Sequence, residues 1–94
     1  MLSGKEKRRL RSMAQTQKAL FQIGKDGVSE NLCKTLSDSL TAHELVKVSC
    51  LKTMPVSVRE AAIECASGTQ SSIVQIIGHT FVLYRKSDKN ICGL

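Results

Sequence analysis

Residues 21–30, FQIGKDGVSE, decide how the rest of this chain is read. Lys18-Ala19-Leu20-Phe21-Gln22-Ile23 is a short, mostly apolar run of strand character that stops at Gly24. Two charged residues and a second glycine follow, and Ser29 comes next as a helix N-cap. Val28, Leu32, Leu36 and Leu40 then recur at every fourth position, the apolar stripe of a helix that ends near His43. A strand that runs into a helix rejoins its sheet by a crossover, so parallel or crossover pairing is expected for the strand that follows.

That strand is Glu44-Leu45-Val46-Lys47-Val48-Ser49-Cys50-Leu51, where Val46, Val48 and Cys50 alternate with Lys47 and Ser49. Pro55, the only proline, separates it from a third helix. Ser57-Val58-Arg59-Glu60 reads as a capping box, and Val58, Ala61, Ala62, Cys65 and Ala66 make a stripe of small side chains. Gly68 is expected just past that helix's end. Two β-rich runs, 72–77 and 80–85, are joined by Gly78-His79, where glycine in first place suits a type II′ hairpin. Upstream, Ser3-Gly4-Lys5-Glu6 is a capping box opening a helix to about Gln15, with Leu10, Met13 and Ala14 on one face. Lys5, Arg8, Arg9 and Arg11 fan over its other side.

The predicted order is α-β-α-β-α-β-β, a single compact α/β domain with a four-stranded mixed sheet packed with three helices. The domain is expected over residues 1–86, with 87–94 a polar, loose C-terminal tail apart from Ile91 and Leu94. At 94 residues there is room for one core only.

Fourteen basic residues face eight acidic ones, a net charge of +6 that argues for an anionic partner. No apolar run approaches the roughly 20 residues of a membrane span, and the basic start carries no apolar signal segment. A cytoplasmic location is expected. Cys33, Cys50, Cys65 and Cys92 form no CxxC pair, and neither His43 nor His79 has a partner at ligand spacing, which argues against zinc. Free thiols are expected, the first three as small core residues.

The loop Gly24-Lys25-Asp26-Gly27 supports two readings. It is a plain strand-to-helix turn, or it is a place where glycine backbone, Lys25 and the next helix N-terminus meet a phosphate. It lacks the spacing of GxxxxGK[ST] and the third glycine of GxGxxG. KH domains grip nucleic acid with a GxxG loop, but between two helices. Asp26 would repel a phosphate unless it points away. Elsewhere no pair of carboxylates is placed for acid–base work, no serine stands in a nucleophile elbow, and three aromatic residues are too few for a stacking platform. No active site is expected.

Taken together, "SGKEKRRLRSMA", "FQIGKDG", "HELVKV" and "VQIIGHTFVLYR" closely resemble, in order and interval, the small bacterial YhbY-like proteins, whose fold is the chloroplast RNA splicing and ribosome maturation domain. The resemblance runs from about Leu2 to Arg85. It implies a fold similar to the C-terminal domain of bacterial translation initiation factor three and an RNA-binding module with a GxxG loop. Stand-alone bacterial members of that family associate with precursors of the large ribosomal subunit, while plant relatives act in intron splicing.

Carried over by position, Gly24, Lys25, Asp26 and Gly27 occupy the family loop. Lys5, Arg8, Arg9 and Arg11 lie on the basic helix, Tyr84 and Arg85 end the hairpin, and Lys18, at the start of the first strand candidate, is a further RNA-binding candidate. An acidic residue at the loop's second variable position, and His79 where a lysine is often seen, are departures that trim positive charge.

The expected function is non-catalytic RNA binding, with ribosomal RNA of a large-subunit precursor as partner. The alternative is a protein-interaction module whose basic helix meets an acidic protein on the ribosome or a processing complex. No cofactor, metal, membrane or small-molecule substrate is expected, and the chain is expected to act as a monomer.

Overall fold

The elements follow in the predicted order, and the computed structural model describes them over residues 2–88 together with Cys92 and Gly93. Helix α1 (Gly4–Ala14) opens with the complete capping box: Ser3 Oγ accepts from the Glu6 N–H at 3.1 Å, and Glu6 Oε1 from the Ser3 N–H at 2.9 Å. Hydrogen bonding from Ser3 to the carboxylate, its backbone N–H first and its side chain second, holds Glu6 below its ordinary pKa. Helices α2 (Glu30–His43) and α3 (Val58–Thr69) are capped by Ser29 and Ser57, although in α3 only the serine half of the box is formed.

Strand β1 (Phe21–Ile23) lies parallel to β2 (Leu45–Cys50), as the crossover requires. The hairpin strands β3 (Ser72–Ile77) and β4 (Thr80–Tyr84) are antiparallel, and β4 inserts beside β2 to give the order β1-β2-β4-β3. Gly78 has φ +57° and His79 is not in the left-handed region, consistent with the type II′ turn.

The alternation along β2 assigns the two faces of the sheet. Val46, Val48 and Cys50 meet Phe81 and Leu83 of β4 beneath α2 and α3, where Leu36, Leu40, Ala61, Ala62 and Cys65 close the larger core. Leu45, Val74, Val82 and Tyr84 point the other way, against Leu10 and Ala14 of α1. Small side chains on α3 let it approach α2. Gly68 belongs to that contact, because a Cβ there would lie 2.7 Å from Cys33 Sγ. It stands inside the last turn of α3, not beyond its end, and the left-handed cap is Gln70 at φ +53°. Cys50 and Cys65 are core residues as expected, and Cys33 is half-buried. Burial pushes the Cys65 thiol up to about 12.

Two local features depart from the hydrophobic pattern. Between Ile73 and Gln75 the β3–β4 register slips by one, so that Val74 is an extra residue. The expected loose tail is also tied down where it is described. Glu44, wholly buried at the C-cap of α2 with φ +65°, takes the Ser87 N–H at 2.5 Å and Ser87 Oγ at 2.9 Å on Oε2. Its Oε1 takes the Cys92 N–H at 2.7 Å. Cys92, 3% exposed, completes the smaller core under α1. A buried carboxyl group needs donors, and the chain after β4 supplies them. Ile91 and Leu94, the expected apolar exceptions in the tail, lie outside the described residues.

Glu44→Ala is therefore expected to release this segment and expose Cys92. Stability should fall by about 2 kcal/mol, limited because the freed N–H groups return to water. Labelling with a thiol reagent, followed by mass spectrometry, should show Cys92 reacting much faster than Cys65. Equal protection of the two thiols in the variant would show that Glu44 does not hold the segment.

Candidate nucleic-acid interface

Gly24 to Gly27 form a closed turn in which the Gly27 N–H donates to the Gly24 carbonyl at 3.0 Å. That bond uses one of the N–H groups a phosphate would need, and leaves those of Lys25 and Asp26 without a partner among the described residues. Gly27 has φ +66°, and a Cβ there would lie 3.1 Å from Pro55 Cγ, so a side chain at this position would be strained. At Gly24 a Cβ would make only an ordinary contact, 3.5 Å from Leu51 Cδ1.

The turn rests on the β2–α3 loop, whose Leu51 N–H donates to the Ile23 carbonyl at 2.8 Å. The Cys50 N–H donates to the His79 carbonyl at 2.6 Å and brings the hairpin to the same end. Three connections thus share the end of the sheet where β1 and β2 finish and β4 begins. Exposed Lys52 and Thr53 join Lys25 there, which the spacing of the sequence did not indicate.

Charge is distributed unevenly. Lys25, Lys52 and Arg59 at the loop end are offset by Asp26, Glu30 and Glu60. The layer formed by α2 and α3 holds Lys34 and Arg59 against Glu30, Asp38, Glu60 and Glu64. Helix α1, on the opposite face, carries Lys5, Lys7, Arg8, Arg9 and Arg11 against Glu6 alone. Lys5, Arg8, Arg9 and Arg11 are exposed. The anion-attracting surface is therefore the α1 layer. Lys18, also exposed, extends it towards β1, and Lys47 Nζ reaches the Gln17 carbonyl at 3.5 Å beside it.

The helix does not adjoin the glycine loop. Leu10 and Ala14 pack against Leu45 and Tyr84, at the end where β2 begins and β4 finishes, so the loop lies at the other end of the sheet. Nor do the hairpin-end candidates face outward together. Tyr84 is 5% exposed, and burial, with Glu44 nearby, raises its hydroxyl pKa. The Arg85 guanidinium is bound inside the fold, to Ser37, Thr41 and the Thr69 carbonyl.

A shallow groove of about 580 Å³ is lined by Val28, Ser29 and residues of α2 with Gly68 of α3. Glu30 and Asp38 face it with Lys34, a poor match for a polyanion. Among the described residues no group of His, Cys, Asp or Glu could hold a metal, and no helix is long and apolar enough to cross a membrane.

A mixed α/β domain with a cationic helix on one face and an acidic helical layer on the other has the uneven charge that suits a polyanionic partner. The family model described as the CRS1 / YhbY (CRM) domain matches residues 2–85, and the chain belongs to that family. It is 43% identical to the Bacillus subtilis protein YqeI, named a probable RNA-binding protein, over 96% of this chain and 94% of that one. A Haemophilus influenzae RNA-binding protein is 30% identical, covering 94% and 89%. The solution structure of a hypothetical protein from Staphylococcus aureus superimposes with a TM-score of 0.81 at 43% identity, over 96% and 94% of the two chains.

Proposed function

We propose that this protein is a non-catalytic RNA-binding protein that takes structured ribosomal RNA during assembly of the large ribosomal subunit. The observation that carries the reading is the concentration of positive charge on α1, opposite an acidic layer, in a chain whose relatives are named as RNA-binding proteins. Lys5, Arg8, Arg9, Arg11 and Lys18 supply the attraction. Lys25, with the N–H groups of Lys25 and Asp26, takes a phosphate at the far end. Contacts of this kind position a protein along a backbone, and RNA shape then decides the choice of partner.

Fluorescence anisotropy against a structured ribosomal RNA fragment and a DNA duplex of equal length tests this. RNA is expected to bind more tightly. If about four to six phosphates are neutralised, log affinity should fall with log salt at a slope of roughly −3 to −5. Equal, weak and salt-insensitive binding to both polymers would instead favour an acidic protein as the partner of α1.

A further inference from the structure

Helix α1 covers only one end of its sheet face. Two cross-strand rows follow towards the other end, Lys47–Val82–Gln75 and Gln22–Ser49–Thr80–Ile77; Val82, 1% exposed, still packs in the core beneath α1, while Lys47, Gln75, Thr80 and Ile77 keep exposed surface. The bulge at Val74 creates the first row. In unbroken register Gln75 would pair with Phe81 and face the larger core; with the extra residue it pairs with Val82 and faces the open side. Bulges commonly re-aim a side chain in this way beside a binding site.

The result is a cavity of about 150 Å³ lined by Lys47, Gln75, Ile77, Thr80 and Val82. That is well below the roughly 300–1,000 Å³ of small-molecule sites. The Gln75 amide and Thr80 hydroxyl make no hydrogen bond within the described residues. Val82, itself buried, closes the bottom of the cavity, and Ile77, 65% exposed, gives an apolar wall. Among the described residues no acidic side chain lines the cavity.

Resting on the RNA reading above, we infer that this cavity is a subsite for one unpaired nucleobase. The base lies against Ile77; Gln75 and Thr80 hydrogen-bond its polar edge, and Lys47 holds the adjoining phosphate. An amide offers both a donor and an acceptor, so it can discriminate between base edges in a way the α1 cations cannot. The subsite sits between α1 and the glycine loop, on the path an RNA strand takes to touch both. It would make the open sheet the sequence-reading part of a surface that otherwise reads only backbone.

The test uses single-stranded RNA homo-oligomers of the four bases, titrated into the full chain and into Gln75→Ala/Thr80→Val. The intact protein should prefer one base by roughly five- to tenfold, the discrimination that one or two hydrogen bonds provide. The variant should lose that preference and keep its salt slope, since no phosphate contact but Lys47's is near. Amide shifts on titrating the unmodified protein should include Lys47, Gln75 and Thr80, a readout that does not depend on the variant's folding. Shifts confined to α1 and the loop, or a preference that survives in the folded variant, would overturn the subsite while leaving RNA binding intact. Absence of RNA binding by the unmodified protein would overturn both.

Discussion

Arg85→Met is expected to cost about 3 kcal/mol of stability while leaving RNA affinity of the folded protein in place. The guanidinium makes four bonds. Nη1 donates to Ser37 Oγ at 2.9 Å and to the Thr69 carbonyl at 2.8 Å; Nη2 donates to the Ser37 carbonyl and to Thr41 Oγ1, each at 2.7 Å. It thereby ties the end of β4 to α2 and to the last turn of α3, which has no basic residue of its own to complement the helix dipole. Methionine preserves much of the apolar stem but leaves those acceptors without a donor. Lysine keeps the charge but lacks the planar fork, so Arg85→Lys should fall between the two. For a domain of this size the methionine variant should unfold roughly 10–20 °C lower, which thermal denaturation would show. Unchanged stability with lost RNA affinity would put Arg85 back in the interface, where the family resemblance places it.

Arg85 also marks how far the sequence could be read. Helix starts, strand alternation and the hairpin turn are local signals, and Ser3, Ser29, Ser57 and Gly78 act where their chemistry predicts. What pairs across the fold is not local. A terminal arginine after a strand looks like a surface cation until Ser37, Thr41 and Thr69 are brought around it. Gly68 looks like a helix stop until Cys33 is found against it. Glu44 gives no hint of burial, because its donors come from Ser87 and Cys92, more than forty residues later. The bulge is no part of the reading of 72–77 as one β-rich run. Ile73-Val74, then Gln75, then Ile76-Ile77 breaks the two-residue alternation that a plain strand would keep. Of the site candidates, the α1 cations, Lys18 and the loop are exposed or half-buried, and Tyr84 is enclosed.

The separation of α1 from the glycine loop makes their contributions to binding distinguishable, and Arg8→Glu/Arg11→Glu should have the larger effect. Exposed charges act over roughly a Debye length, about 8–10 Å in ordinary salt. At the loop end Lys25, Lys52 and Arg59 are matched by Asp26, Glu30 and Glu60, so little net field extends from it. Arg8 and Arg11 are exposed on a helix where five basic residues face Glu6 alone, so its charge is largely unopposed. Glutamate has a helix propensity close to that of arginine, and a carboxylate near the helix C-terminus costs only tenths of a kcal/mol, so the fold should persist. Losing two phosphate contacts and adding two repulsive charges should weaken RNA binding about 100-fold at 0.1 M salt and make the salt slope shallower by about two. Lys25→Ala, one contact at a neutral end, should weaken binding far less and barely alter the slope. The opposite ranking, with Lys25 dominant, would mean that RNA is captured at the turn and that α1 only tolerates it. Charge polarity across the two layers, strongest where it is unopposed, makes the first ranking the expected one.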